Sequence, residues 1–263
     1  MIKKTDIINA MEASNLKRGS TVFMHSNLAF FGPAEGCNSV DDLAELFFDC
    51  LCEVIGPNGN LILPMFTYSF GQDKEDKIFN PSLRAPGMCP IGNWLLLKGE
   101  GDRSLDPMLS VLCYGNEQSH LAAFDDDHCF GVKSIWAKLY ETDAMICNLN
   151  FDSGSTYLHW VEKKLNVSYR QDISLSGHIK LKNQTYSATV TYTGRDLGAA
   201  DTEANFVDYH DLCVNTGKST ITPLGRGTIV SQSCRDAEAL LARTLPQEPF
   251  LLTTRYRKKM LTS

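Results

Sequence analysis

His159 and Glu162 have the clearest chemical potential in the chain, set in Thr156-Tyr157-Leu158-His159-Trp160-Val161-Glu162. Three residues apart, they share one face of a helix. A carboxylate beside an imidazole favours the cationic ring and is expected to raise its pKa, a usual preparation for a general base. The preceding Asn150-Phe151-Asp152-Ser153-Gly154 is polar and lies where a strand gives way to that helix, so a helix N-terminus can meet polar or anionic groups of a ligand. Taken alone, a His–Glu pair at this spacing is more often a surface contact without a role. The same two side chains with His25 and Asp152 form a second possible set, around a metal, although no His-Glu-x-x-His pattern is present.

His25-Ser26-Asn27 closes the apolar run Thr21-Val22-Phe23-Met24, which reads as a buried strand. Open α/β sheets bind ligands beyond the carboxyl ends of such strands. Gly32 and Gly36 follow in Phe31-Gly32-Pro33-Ala34-Glu35-Gly36 and would let a ligand approach the backbone. The stretch lacks both the Gly-Lys-Ser/Thr ending of a Walker loop and the spacing G-x-G-x-x-G, so by itself it reads as an ordinary turn. Arg103, in Gly101-Asp102-Arg103-Ser104-Leu105-Asp106-Pro107, suits a phosphate or carboxylate and equally a surface salt bridge. Asp125-Asp126-Asp127 reads as a solvated loop, since three adjacent carboxylates do not converge on one ion without special backbone geometry.

These residues need a frame. Thr5 is the expected cap of a helix over 5–16, with Ile7, Ile8, Met11 and Leu16 as its apolar stripe. Strands are predicted over 21–25, 60–64, 110–114 and 144–148, and helices over about 39–55, 94–98, 116–124, 134–141 and 155–165. Ser39 with Asp42 three residues later marks a helix start. Residues 68–90 are rich in turn formers, and a stretch of that length inside a domain is usually functional or mobile. Alternation about Asn183-Gln184 predicts a hairpin over 178–192. A helix over about 201–216, two short strands flanking Gly225-Arg226-Gly227 and a helix over about 233–245 complete the chain. The sum is a single mixed α/β domain over residues 1–263, strand–helix units followed by an antiparallel extension.

With 263 residues, 43% of them hydrophobic, the chain can bury a sizeable core. Its net charge of −6 and the absence of a basic block longer than Arg257-Lys258-Lys259 argue against a nucleic-acid partner. Nine cysteines without a Cys-x-x-Cys pair, several in apolar runs, read as buried reduced thiols. No run of about 18 apolar residues and no leader-like start is visible, so no membrane partner and a cytoplasmic location are expected.

Five segments taken in order are more specific than any one. They are Met24-His25-Ser26-Asn27-Leu28 with Phe31-Gly32; Leu63-Pro64-Met65-Phe66-Thr67-Tyr68-Ser69-Phe70; Phe79-Asn80-Pro81 with Gly92; Arg103-Ser104 with Pro107 and Ser110; and the Asp152 loop with its Thr-x-x-His-x-x-Glu helix. Their order and spacing resemble the aminoglycoside 3-N-acetyltransferase family over about residues 5–170. The resemblance implies that family's α/β fold and the transfer of an acetyl or similar acyl group from acyl-coenzyme A to a sugar amine. It implies His159 as the base with Glu162 supporting it, Ser26, Asn27, Leu28, Gly32 and Ser110 along coenzyme A, and Asp152 at the amino substrate. A thioester brings its own leaving group, so no metal is expected. The partner is a small amino sugar, and the expected state is a monomer or homodimer.

One position departs from the family pattern. Many antibiotic-modifying members carry Arg-Ser-x-His-Pro where this chain has Arg103-Ser104-Leu105-Asp106-Pro107. Together with Phe66-Thr67-Tyr68-Ser69-Phe70, Asp106 resembles members found with surface-polysaccharide synthesis, which implies a nucleotide-linked amino sugar as acceptor. Arg103 and Asp106 are then expected to meet substrate, with Arg103, Arg170 and Arg195 the cations available for its phosphates. Two other classes stand beside this reading. A metal-dependent hydrolase built on His25, Asp152, His159 and Glu162 would contain stoichiometric zinc. A non-catalytic amino-sugar or coenzyme A binding protein would have no need of both His159 and Glu162.

Overall fold

Alternation along the strands decides the architecture of the computed structural model, which describes residues 1–262. Val22 and Met24 of β1 (Thr21–Ser26) enter one apolar cluster and Phe23 the other; in β2 (Asn60–Pro64), Leu61 and Leu63 go with the first and Ile62 with the second. Two short strands, β3 (Ile78–Phe79) and β4 (Asp102–Arg103), precede β5 (Val111–Gly115) and β6 (Met145–Leu149). There the division recurs, with Leu112, Cys147 and Leu149 on one face and Val111, Cys113 and Ile146 on the other. A sheet apolar on both faces must be covered on both. Helices α1 (Lys4–Ala13), α2 (Val40–Ile55) and α3 (Pro90–Lys98) pack on the first face. After the short α4 (Gln118–Ala122), helices α5 (Ile135–Glu141) and α6 (Tyr157–Lys164) pack on the second, with Trp136 and Tyr157 fully buried.

The later chain adds β7 (Arg170–Leu181), β8 (Gln184–Arg195), α7 (Val207–Asn215), β9 (Thr220–Leu224), β10 (Gly227–Ser233), α8 (Cys234–Thr244) and α9 (Thr254–Thr262). The main sheet runs β4-β5-β2-β1-β6-β10-β9, and a second sheet runs β3-β7-β8. Strands β2, β1 and β6 are mutually parallel, while β5 and β10 flank them antiparallel.

Ser39 caps α2 reciprocally with Asp42, and Ser134 and Ser233 cap α5 and α8. The first helix has its N-cap at Lys3, two residues before the expected Thr5, with Asp6 accepting from the Lys3 N–H at 2.9 Å, and it ends at Ala13, short of Leu16. The helix anticipated over 201–216 begins only at Val207. Asp201 holds a left-handed φ of 60°, and the Asn205 side chain accepts from the Val207 N–H in a turn instead. The irregular 68–90 stretch contributes β3, which pairs parallel with β7 at Ile78 and His178. All nine cysteines are free; Cys37 and Cys52 are half-buried, the rest buried as expected. Among the described residues no helix is long and apolar enough to cross a membrane.

Candidate active site

The parallel strands place the carboxyl end of β1 in the middle of the main sheet, with His25 opposite Asn148 and Ser26 opposite Leu149. Asn148 is fully buried, and its amide donates to the carbonyls of Asp152 at 2.6 Å and Gly154 at 2.7 Å. Gln232, from β10, donates to the Ser153 carbonyl at 2.8 Å. Asn150, in the left-handed region at φ 62°, donates to the Asn27 carbonyl at 2.8 Å and so ties the two strand-end loops together. The 150–154 loop, which carries Asp152 into α6, is thus held from three strands. Rigid support of this kind is what a positioned loop requires.

On α6 the expected pair meets. The His159 Nδ1–H donates to Glu162 Oε2 at 2.6 Å. Tyr169 donates to Glu162 Oε1 at 2.5 Å. Arg170 Nε lies 2.5 Å from Oε2 but off the N–H axis, so that contact is ionic. Arg170 Nη2 also comes within 2.7 Å of His159 Nδ1. A guanidinium cannot accept a hydrogen bond, and Nδ1 spends its proton on the carboxylate, so this is a close cationic approach. Nε2 is left as the unprotonated ring nitrogen, with Arg170 Nη2 3.5 Å from it. Phe130 and Phe206 face the ring, their centroids 6.4 and 5.8 Å away.

The environment corrects the expectation of a raised imidazole pKa. Burial disfavours the cation, Glu162 opposes that, and Arg170 reinforces it, leaving His159 below its ordinary value. Burial alone would push the Glu162 carboxyl up, but His159, Arg170 and the Tyr169 hydroxyl outweigh it and hold the group ionised. The state we assign the coupled pair is neutral imidazole beside carboxylate, a base already free near neutrality.

The other expected residues divide. Ser26 and Asn27 stay partly accessible at the strand end, with the Ser26 hydroxyl 3.2 Å from the Cys89 thiol. Asp152 lines an open cleft of about 530 Å³, and its Oδ1 accepts from the Gly154 N–H at 2.7 Å. Leu28 is a core residue. Ser110 is fully buried, its hydroxyl donating to the Met65 carbonyl at 2.6 Å, so it cannot line an open channel. Arg103, expected at a ligand phosphate, here spends its N–H groups on the carbonyls of Pro81, Leu83 and Met65 and on the Ser110 hydroxyl. Asp106 is buried and Oδ1 accepts from the Met108 and Leu109 N–H groups at 2.8 and 2.9 Å, capping a loop. Nor do the three arginines converge, since Arg170 is bound to Glu162 and Arg195 to Glu203 at 2.7 Å. His25, Asp152, His159 and Glu162 are not gathered as metal ligands; no cluster of three or more such groups occurs among the described residues.

His25 has its own signature. Its Nε2 is buried without a partner among Phe23, Phe66 and Phe151, and burial lowers the imidazole pKa to about 4. In the unfolded chain the ring takes up a proton near pH 6.5. The contribution to stability is therefore present above that pH and lost as pH falls towards 4, by at most about 3 kcal/mol since part of the ring meets solvent. Urea midpoints at pH 7 and pH 4.5 should differ less in His25→Phe than in the wild type. Equal acid sensitivity in both would remove His25 as the cause.

Tyr169, Asn148, Gln232 and His210 were not anticipated from sequence. Each acts through a partner far along the chain, as Gln232 does on the Ser153 carbonyl, and no local spacing announces that.

A sequence profile described as aminoglycoside 3-N-acetyltransferase matches residues 23–245. No individual curated protein matches the sequence. Among solved structures, aminoglycoside acetyltransferase AAC(3)-IIb superposes with a TM-score of 0.78 at 17% identity, covering 94% of this chain and 97% of that one. AAC-IIIb, solved as a binary complex with CoASH, gives 0.77 at 17% identity with the same coverage. AAC-VIa bound to sisomicin gives 0.73 at 16% identity over 92% and 97% of the two chains. At these identities the likeness shows a shared mixed α/β fold.

Proposed function

The chain belongs to the aminoglycoside 3-N-acetyltransferase family, and on that premise we propose that it transfers an acetyl or similar acyl group from acyl-coenzyme A to the amine of an amino sugar. The observation that carries this reading is the partly exposed His159, 2.6 Å from Glu162 Oε2 through Nδ1, in surroundings that lower its pKa. A sugar ammonium has a pKa of roughly 8, below lysine because neighbouring oxygens withdraw electrons. It must lose its proton before it can attack, and His159 Nε2 takes it. Asp152 holds the ammonium beforehand. Ser26 and Asn27 line the pantetheine arm at the strand end. The amine attacks the thioester directly, the carbonyl carbon exchanges its C–S bond for a C–N bond, and the coenzyme leaves as the thiol. The strands of the main sheet come from residues 21 through 233, which favours one catalytic domain over residues 1–263, and nine free, mostly buried cysteines suit a cytoplasmic setting.

The acceptor we favour is a nucleotide-linked amino sugar, because Asp106 and Phe66-Thr67-Tyr68-Ser69-Phe70 follow the polysaccharide-associated pattern as sequence markers of that branch, with Asp106, Phe66 and Phe70 packed inside the fold. Thiol release from acetyl-coenzyme A should be compared across aminoglycosides and nucleotide-linked amino sugars, with a chelator present. Release with a nucleotide-linked sugar at the higher kcat/KM is the expected result. Equal or better use of a kanamycin-like amine would overturn the substrate assignment, and no release with any amine would overturn the reaction.

A further inference from the structure

With Arg103 and Arg170 engaged inside the fold and Arg195 paired with Glu203 at the surface, the cation facing the strand-end loops is Arg226. It sits at the tip of the β9–β10 hairpin, and its N–H donates to the Phe31 carbonyl at 3.0 Å. Its guanidinium lies over Gly32: a Cβ there would come within 2.8 Å of Arg226 Nε, and the backbone holds a left-handed φ of 97°. Gly32 therefore serves to seat this arginine, which covers the face where a ligand was expected to approach the glycine. Gly227 is as tightly used, because a Cβ there would collide with Asn150 Oδ1. The hairpin tip is locked against both strand-end loops while the guanidinium makes no hydrogen bond or ion pair among the described residues.

Arg226 lines the 530 Å³ cleft together with Phe30, Phe151, Asp152, His210 and Thr228. That volume is in the range of small-ligand sites. His210 Nδ1 accepts from the Ser153 N–H at 3.2 Å and lies 2.8 Å from its hydroxyl, which leaves Nε2–H as the ring's donor. Phe30 and Phe151 are 66% and 46% exposed, offering flat apolar faces beside these donors. A planar guanidinium and an imidazole N–H suit phosphate oxygens, and exposed rings suit a nucleobase.

The geometry points to a phosphate subsite in this cleft, with Arg226 as its principal contact, for the nucleotide part of a co-substrate. This rests on the acyl-transfer reading above. Coenzyme A and a nucleotide-linked amino sugar both carry the required phosphates, and paired ligands separate them. Calorimetry on the wild type and Arg226→Gln would use coenzyme A against pantetheine, and a nucleoside-diphosphate amino sugar against the free amino sugar. Substitution should weaken at least one phosphorylated ligand by about tenfold or more and leave its unphosphorylated counterpart within about twofold. Arg226→Lys should recover part of the loss, and added salt should weaken the wild type more than the glutamine variant. The inference fails if both phosphorylated ligands bind the variant as they bind the wild type, if each falls together with its counterpart, or if the wild type binds neither. Arginine-dependent binding without any thiol release would instead sink the acyl-transfer reading and leave the subsite standing.

Discussion

Replacing His159 by asparagine is expected to lower turnover by about 10²- to 10⁴-fold, the range in which a positioned base acts, while coenzyme A affinity stays within about threefold. Asparagine can still donate to Glu162, so the ionic cluster keeps a partner, but it has no nitrogen able to take a proton from an ammonium. The pH profile separates this from a merely structural loss. Because burial and Arg170 hold the imidazole below its ordinary value, wild-type kcat/KM should fall on acidification through a pKa lower than 6.5. The residual activity of the variant should lose that acid limb. Retention of more than about a tenth of wild-type turnover would remove His159 as a base of this strength.

How far this site was legible follows from where its information lies. His159 and Glu162 were visible because helical spacing alone brings positions three apart together. Strands β1 and β2 were visible because Val22-Phe23-Met24 and Leu61-Ile62-Leu63 are apolar on both faces, and Ser39 because a cap is read within four residues. The sign of the His159 shift was not legible. It depends on Arg170 at the start of β7, and whether that arginine faces solvent, phosphate or Glu162 is a tertiary fact. The same limit hid the surroundings of Arg103, Asp106 and Ser110. Their family positions were recognised, but their donors and acceptors are spent on Met65, Pro81 and Met108, a network that only the folded chain closes. Arg226 is hidden in the sequence for the converse reason. A Gly-Arg-Gly turn between two short strands looks like any hairpin tip until Gly32 is found beneath it.

Arg170→Leu is expected to cost about 3–5 kcal/mol of stability, the usual penalty for removing one partner of a buried ion pair. Burial decides between this and the negligible cost of a surface pair: the side chains of Arg170 and Glu162 are 6% and 1% exposed. Tyr169 and His159 still satisfy both carboxylate oxygens after the substitution, which places the loss towards the lower end. The unbalanced charge has a second consequence. With the cation gone, Glu162 acts alone on the imidazole and favours its protonated form, so the His159 pKa should rise. The acid limb of kcat/KM then moves to higher pH, and the variant has less free base than the wild type in mildly acid buffer. Urea denaturation and a pH–rate profile read the two effects independently. Adding Glu162→Leu should recover part of the stability, because the stranded charge is removed, yet turnover should fall further, because nothing then orients Nδ1. A single variant within about 1 kcal/mol of the wild type would mean that the pair behaves as a surface contact. An unmoved acid limb would mean that Arg170 holds the fold without setting the base.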